Sequence, residues 1–598
     1  MQERTDSPHL NLLRNQIDIT RVPFSDRGSR LMVCQEPGPC QLQIKLAERL
    51  IKLQPDIDAY RMRPPFVNEL TLIDGEGEPL DFELETYPHE LRFHTRVGSF
   101  GLVFQDRRTL AFGLPPGVSA GLRFYVEPQF WQETERGGLF KSVRNLVYTA
   151  SEELAYNQIT PNTGGYIVEC IASASDDGVI ALTVDEDVDL HVDVPPYSAS
   201  CQAAEMRWHK WFDGVPPVDE RYRLTYMYAW WIMANNLISP QGRVTYEAMT
   251  PSKTSYIGLW LWDSAMHALA YRHVDPELAR NQIRAMLAYQ LPDGMLPDAV
   301  YDEGVISSID HPIMAAVTKP PILAWMALKL HETAPDLDFL EEIYTSIVRW
   351  NAWWFSMNDD NLDGLVQYNH PYSSGLDDSP LWDFGMPVES PDLNTYLCVQ
   401  MGSLAVMAEA LGMPVESKMW RRRAAAIVHR MIEHFWDEDA GLFWPLLENK
   451  EPVRVVTPFS LYPLWTGQLP DHIRERLKGH LTNPDEFWGE YVIPTVARND
   501  PRFEPGTMWR GPVWANINYF FIEALHQIGE HDLANTVRDK TLDLVMSETG
   551  IYEYYNAETG QPPPTAAGTF GWTAAVFIDL AIQASQISQA SQEDDKDE

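Results

Sequence analysis

The stretch SPDLNTYLCVQMGSLAVMAEALG, Ser390 to Gly412, decides how most of this chain folds. It opens on Ser-Pro-Asp, with proline at a first-turn position whose N–H would have no helical partner and an acid beside the positive end of a helix. It closes on glycine, the residue that most readily takes the left-handed turn ending a helix. Between them apolar residues recur at three- and four-residue spacing with no proline, so the pattern predicts a helix over 393–411. A second helix is expected at 416–435 after only a few residues, and two helices joined that tightly form an antiparallel hairpin.

Working outward, the same reading predicts helices over 219–237, 262–271, 276–289, 318–331 and 336–356 on one side, and over 471–481, 514–528, 531–546 and 571–585 on the other. Some connections are short and plain; others are long and loaded with Trp, Tyr, Asp and Gly. A ring of helix hairpins produces that alternation, with inner helices lining a core and long loops at one end building a concave site. No fixed-period repeat supports a solenoid. Before about residue 200 the apolar residues come instead in short alternating runs, such as GYIVECIASA (165–174) and GVIALTVDED (178–187), which read as strands. The expected fold class is therefore mainly α: an (α/α)6 barrel over 201–590, a β-sandwich over 1–200 before it, and an acidic tail at 591–598.

A chain of 598 residues is too long for one ordinary core, and 45% hydrophobic with 22% charged residues is a globular composition. The formal charge of −39 argues against nucleic acid or an anionic membrane as partner. No run of eighteen apolar residues is present and the first twenty residues lack a secretion-signal pattern, so a cytoplasmic location is expected. Cys34 and Cys40 are close enough in sequence to pair, but five scattered cysteines without a CxxC read better as reduced thiols. Oligomeric state has no signature here.

Twenty tryptophans are many, and they gather in YIGLWLWDSAMH (256–267), SSGLDDSPLWD (373–383) and GTMWRGPVWANINY (506–519). Many of the twenty must fill core. Rings beside carboxylates in loops are also what a sugar requires, its C–H faces lying on aromatics and its hydroxyls meeting polar groups. Cleaving a glycosidic bond then takes two carboxyl groups. Asp377 suits the acid: Gly375 permits a tight turn, Pro380 fixes the exit, and apolar neighbours with Asp378 would raise a carboxyl pKa. One of Asp378 and Ser379 could instead cap the following turn. Glu553, held among Tyr552, Tyr554 and Tyr555, is either a surface residue or a positioned base, and the residues alone leave both readings open.

The motifs WLWDSAMH, DGMLPDAV, SSGLDDSP, MWRGPVWANINY and YEYYNAETG, in this order, resemble glycoside hydrolase family 63 over roughly 205–585, with a more distant likeness to the trehalases of family 37. The resemblance implies inverting α-glycosidases on an (α/α)6 barrel. It matches Asp377 to the general acid and Glu553 to the general base, with the two carboxyls roughly 6.5–9.5 Å apart to admit a water. It matches Trp262 and Asp263 to groups holding the non-reducing sugar, with Tyr256 and Trp260 nearby. Gly375 lies at the sugar's edge, and Trp509, Arg510, Gly511 and Trp514 form another wall, Arg510 orienting a carboxylate or hydroxyl. Gln290, Asp293 and Asn518 complete the set.

The expected activity is inverting hydrolysis of an α-glucosidic bond in a small neutral glucoside or oligosaccharide. A glycerate leaving group should need a cation, and GMPVESPDLNTY (385–396) offers Glu389 and Asp392 instead. Glucosylglycerate or mannosylglycerate hydrolysis is the alternative, and a phosphorylase a more distant one, because it needs a phosphate cradle and no base at Glu553. An epimerase would want paired histidines, and a binding protein would not need both carboxyls. No cofactor or catalytic metal is expected. Asp359, Asn361, Asp363 and Gly364 have the spacing of a calcium loop, but His370 stands where its closing Glu should be, so a polar turn is the better reading and structural calcium the alternative. His267, His311 and His370 lack zinc-ligand spacing.

Overall fold

The helix anticipated at 393–411 runs Pro391–Ala410, with Asp392 in its first turn. Gly412 follows at φ 75°, and Met413 N–H reaches back to the Ala408 carbonyl at 2.7 Å. The computed structural model describes residues 8–36, 38, 40–49, 64–186 and 193–597, with side chains as far as 588, so the side chains of the acidic tail lie outside the described residues. The chain divides into two compact units: 1–215 with 230–239 and 253–257, and 216–229, 240–252 with 258–598.

In the first unit, β1 (Leu31–Gln35), β2 (Leu42–Leu46), β3 (Val67–Asp74), β8 (Ala120–Val126), β13 (Gly165–Ala172) and β12 (Leu154–Asn162) make one antiparallel sheet in that order. A second runs β4 (Glu83–Thr86), β5 (Leu91–Thr95), β6 (Gly98–Asp106), β7 (Thr109–Gly113), β14 (Val179–Asp185), β11 (Asn145–Ala150), β10 (Gly137–Lys141) and β9 (Phe130–Thr134). The sheets meet where Phe124 of β8 packs edge-on against Tyr148 of β11, centroids 5.8 Å apart. A helix, α1 (Tyr197–Phe212), packs Cys201 and Ala204 on Val103, Ala111, Val179 and Ala181. Its Tyr197 ring lies so close over Gly101 and Gly113 that a Cβ at either would collide with it. The sequence reading, whose first helix is at 219–237, passes over this one, because the buried positions of α1 include Ser200, Cys201 and Ala204, too small to read as an apolar stripe. Two extended sheets in the first third make the chain mixed in class rather than mainly α. All five cysteines are free thiols.

After α2 (Arg223–Asn235) the chain alternates buried and peripheral helices: α3 (Leu261–Tyr271), α4 (Pro276–Leu287), α5 (Leu323–Thr333), α6 (Leu337–Met357), α7 (Pro391–Ala410), α8 (Pro414–Phe435), a 3-10 segment (Pro458–Thr466), α9 (Asp471–Leu481), α10 (Ala515–Gln527), α11 (His531–Met546) and α12 (Gly571–Asp597). Side-chain caps start two of the peripheral ones: Asp275 accepts from Leu278 N–H at 3.0 Å and Asp336 from Phe339 N–H at 2.9 Å. The inner elements adjoin in closed cyclic order, α3, α5, α7, the 3-10 segment, α10, α12 and back to α3. Trp325, Tyr396, Tyr462, Trp465 and Phe520 fill the middle of that ring with mutual ring contacts. Each such buried side chain contributes about 1.5–3 kcal/mol by leaving water. Among the described residues no helix is long and apolar enough to cross a membrane.

Two expected boundaries move for stated reasons. The helix predicted from 318 begins at Leu323, since Pro320 and Pro321 hold the residues before them extended. The inner element at Pro458–Thr466, with Pro463 inside it, is 3-10 rather than α and has no helical signature in the sequence. Inner-to-outer connections are short (Tyr271 to Pro276, Thr333 to Leu337, Gln527 to His531), whereas outer-to-inner ones are long (Leu287 to Leu323, Met357 to Pro391, Leu481 to Ala515, Met546 to Gly571). All the long loops therefore arrive at inner-element N-termini, the electropositive ends.

Away from those loops a buried carboxylate locks three inner helices together. Asp579 of α12, fully buried, receives Arg272 at 2.6 Å, His273 at 2.7 Å, Tyr519 of α10 at 2.8 Å and Gln583 at 2.7 Å. Burial alone would raise its pKa, but Arg272 and His273 hold the carboxyl well below the ordinary range. Asp579→Ala should therefore cost about 3–5 kcal/mol, measured by urea unfolding at pH 7. That stabilisation is present above the usual carboxyl pKa of about 4 and lost only as pH falls through the depressed one, so the cost should persist at pH 5. An unchanged urea midpoint would contradict the role.

Candidate active site

Short ladders stitch the long loops together. Trp260, the extended residue before α3, pairs with Ala299, and Leu261 N–H donates to Asp298 O at 3.0 Å, joining the loop before α3 to the loop before α5. That second loop reaches the one before α7 through Thr318 N–H to Ser373 Oγ at 3.3 Å and Lys319 Nζ to Tyr372 O at 2.7 Å. The loops before α10 and α12 exchange two bonds, Val513 N–H to Tyr555 O at 2.8 Å and Tyr555 N–H to Val513 O at 3.0 Å. Asp378 joins the two groups of loops, its Oδ1 accepting from Trp509 N–H at 2.8 Å and its carbonyl from Arg510 at 3.0 Å.

Rings hold these loops at a common level. Trp509 lies flat on Trp514, centroids 3.6 Å apart and planes 8° from parallel. Tyr554 stacks on Trp514 at 4.8 Å, and Trp572, at the start of α12, meets Trp514 and Trp262 edge-on at 5.5 and 5.0 Å. Gly375 sits against the Trp262 indole at φ 72°, where a Cβ would collide with the ring. The acids stand next to these rings in sequence: Asp263 beside Trp262 and Glu553 beside Tyr554, with Asp377 two residues past Gly375.

The carboxyls crowd one ammonium. Lys319, buried, lies 2.8 Å from Asp298 and 3.9 Å from Asp377 Oδ1. Burial opposes its charge, yet Asp298, Asp377 and Asp263 together raise its pKa, so it stays protonated. Burial pushes Asp263 well above the usual carboxyl range; Lys319 offsets this and the Glu553 carboxylate adds to it. Asp377 is pushed up to about 7, chiefly by burial, with Lys319 pulling down and Asp298 and Asp378 pushing up. Among the described residues no donor satisfies Asp377 Oδ1, which is itself enclosed, while 22% of the side chain as a whole remains exposed. Glu553 is almost fully buried and accepts from Ala567 N–H at 3.2 Å. The cluster thus offers a protonated acid and a second carboxyl on different loops, the requirement for general acid and base on one substrate.

Of the residues predicted from sequence, Trp262, Asp263, Gly375, Asp377, Trp509, Trp514 and Glu553 come together in this cluster. Trp260 stands at its edge against Tyr301, centroids 5.6 Å apart. Tyr256 is buried and belongs to the strand-rich unit. Gly511 packs against the Glu504 backbone. Arg510 braces the loop, fixed by Asp383 at 2.8 and 3.1 Å and Glu504 at 3.2 Å, so its charge is already matched. Gln290 bonds Gly294 O, Ser346 O and Arg349, Asp293 accepts from Met295 N–H, and Asn518 donates to Thr541 of α11 at 2.9 Å.

At the calcium-like loop, Asp363 pairs with Lys450 Nζ at 2.8 Å, and Asn361 points its amide at Glu389, which the same lysine also meets at 2.7 Å. The Lys450 ammonium thus matches the charges of Asp363 and Glu389. Sequence reasoning passed over Lys319, Asp298 and Trp572. The signal was a lone acid in the apolar run MLPDAVY (295–301) and a lone lysine before two prolines.

Residues 256–573, more than half of the chain, match the family described as the mannosylglycerate hydrolase MGH1-like glycoside hydrolase domain. A mannosylglycerate hydrolase of Thermus thermophilus is 30% identical over 409 residues, covering 55% of this chain and 95% of that protein. The crystal structure of a family 63 mannosylglycerate hydrolase from a second strain of Thermus thermophilus, with Tris and D-glycerate, is 25% identical, has a TM-score of 0.52, and covers 59% of this chain and 98% of its own. A bacterial glucoamylase bound to acarbose shares only 13% identity but covers 94% of both chains at a TM-score of 0.59, a likeness of fold alone.

Gly375→Ala should displace Trp262, since the new Cβ meets an indole wedged between other rings and the left-handed backbone costs about 1 kcal/mol more for alanine. Near-UV circular dichroism should change while far-UV stays; an unaltered near-UV spectrum would contradict the packing.

Proposed function

This chain belongs to the MGH1-like glycoside hydrolases of family 63, and we propose that it hydrolyses a small α-glycoside of glycerate, mannosyl- or glucosylglycerate, with inversion at the anomeric carbon. The observation that carries this reading is the pairing of Asp377, held protonated near neutrality and reachable at its edge, with Glu553 on another loop of the same acid cluster. Asp377 gives its proton to the glycosidic oxygen as the bond to the anomeric carbon breaks. Glu553 takes a proton from the water that attacks the opposite face. Asp263, whose pKa burial raises against the pull of Lys319, meets sugar hydroxyls beside Trp262. On the same reading, the closed ring of inner elements is an (α/α)6 barrel and the two packed sheets a β-sandwich.

The expectation of a neutral glucoside rests on Glu389 and Asp392 repelling an acidic leaving group. Their surroundings remove its force. Glu389 is buried and neutralised by Lys450, and Asp392 is buried against Tyr368, whose hydroxyl donates to it at 2.9 Å, and Ser390. Neither presents a bare negative charge, and the relative crystallised with D-glycerate favours that leaving group.

Mannosylglycerate and glucosylglycerate should be cleaved, with kojibiose, maltose and trehalose as neutral comparators, each with and without phosphate. Proton NMR should record the β-anomer of the sugar first and no dependence on phosphate. Cleavage of neutral disaccharides alone, retention of configuration, or a phosphate requirement would overturn the proposal. Asp377→Asn and Glu553→Gln should each lower kcat about 10²–10⁴-fold while sugar binding by calorimetry persists; a near-wild-type rate in either folded variant would remove it from the mechanism. Because Asp377 must carry its proton to act, kcat/KM should fall about tenfold per unit as pH rises above about 7. An alkaline limb starting near pH 5 would contradict the raised pKa.

A further inference from the structure

The acid has a near neighbour that touches no reacting atom in the mechanism above. Lys319 projects from the loop before α5 and is held on two sides, by Asp298 at 2.8 Å and by the Tyr372 carbonyl at 2.7 Å. Its Nζ stands 3.9 Å from Asp377 Oδ1, the oxygen with no protein donor. Asp298 is itself placed by the backbone, its carbonyl bonded to Leu261 N–H and its N–H to Ile306 O at 2.8 Å. An ammonium tethered this way cannot swing out to solvent, and at this distance it acts on Asp377 as a charge rather than through a full hydrogen bond.

We propose that Lys319 and Asp298 form a fixed positioning pair that sets the proton affinity of the acid Asp377: the ammonium favours the carboxylate formed as the proton leaves, and Asp298 restrains that effect so that the acid stays protonated until substrate arrives. This inference rests on Asp377 being the general acid. A lone ammonium beside Asp377 would ionise it early and spoil the acid; no ammonium would leave it too weak to give up its proton. Burial sets the high starting point, and the pair trims it towards neutrality. The charged and titratable groups facing the pair are few: Asp263 and Asp377 beside the ammonium, Asp378 beside the acid, Glu553 beside Asp263, the Tyr372 phenol, and His370, which burial lowers to about 4 and keeps uncharged.

The test is the alkaline limb of kcat/KM, because the two halves of the pair push it in opposite directions. Lys319→Met should move the limb up by about 1–3 pH units and lower kcat on the acid plateau, by less than the 10²–10⁴-fold of losing the acid itself. Asp298→Asn should move it down by up to about one unit, the negative charge lying farther from Asp377. If Lys319→Met folds poorly, as judged by circular dichroism, the charge-neutral double variant Lys319→Met/Asp298→Asn replaces it, and its limb should still lie above the wild type's. Limbs that stay in place, or that move in the same direction in both single variants, would overturn the proposal. Full activity in Asp377→Asn would instead overturn the reading of Asp377 on which it rests, so the two failures are distinguishable.

Discussion

The face-to-face stack of Trp509 on Trp514 is the contact on which the site depends. Both rings are almost wholly buried, and the stack is extended by Tyr554 and bounded by Trp572 and Trp262. It brings loops entering α3, α10 and α12 to one level, and Gly375 presses the loop before α7 against the same group. Aromatic pairs contribute about 0.5–1.5 kcal/mol each beyond their buried area. Their greater effect here is positional: Trp262 and Tyr554 each neighbour in sequence a carboxyl of the cluster, Asp263 and Glu553. The ring of inner helices supplies rigid starting points for the loops, and the tryptophans fix where the loops end.

Placing Asp263, Asp298 and Asp377 around one lysine, with Glu553 beside Asp263, costs stability that the rest of the unit offsets. Asp377 illustrates the sign. Its pKa in the folded chain, about 7, lies above the unfolded value near 4, so the folded state is favoured below pH 4 and loses that advantage as pH rises through 7. At working pH the site is therefore a local weakness of the kind reactive groups impose. Asp579 is the opposite case, a carboxylate of the same type whose four partners make its charge an asset. What separates them is chiefly the number of donors delivered to the oxygens.

Much of this was legible in the sequence, and the exceptions have physical causes. The helix after Ser390 could be read because proline, aspartate and glycine mark its ends locally, and Asp377 stood out because Gly375 and Pro380 set it in a tight turn beside Asp378, whereas Glu553 among its tyrosines was left open by the residues and picked out only by the family resemblance. Lys319 could not, because its meaning arises only where two loops meet across a hydrogen bond from its own ammonium to Tyr372 O. Arg510 and Asn518 read as pocket residues from their motif, yet two of the partners they take, Asp383 and Thr541, lie far off in sequence or on another helix. The 3-10 element at Pro458–Thr466 escaped because its prolines forbid the α pattern used to find its five companions. Local signals reveal elements and lone unusual residues, but not charge pairs formed between loops.

The central claim is that the fold keeps a proton on one carboxyl, Asp377, up to neutral pH. The most direct measurement is carbon-13 NMR of protein labelled at aspartate carboxyls, with the Asp377 resonance identified by its loss in Asp377→Asn, followed from pH 4 to 9. The account predicts a titration midpoint near 7. A midpoint near 4, the value of an ordinary exposed aspartate, would contradict it.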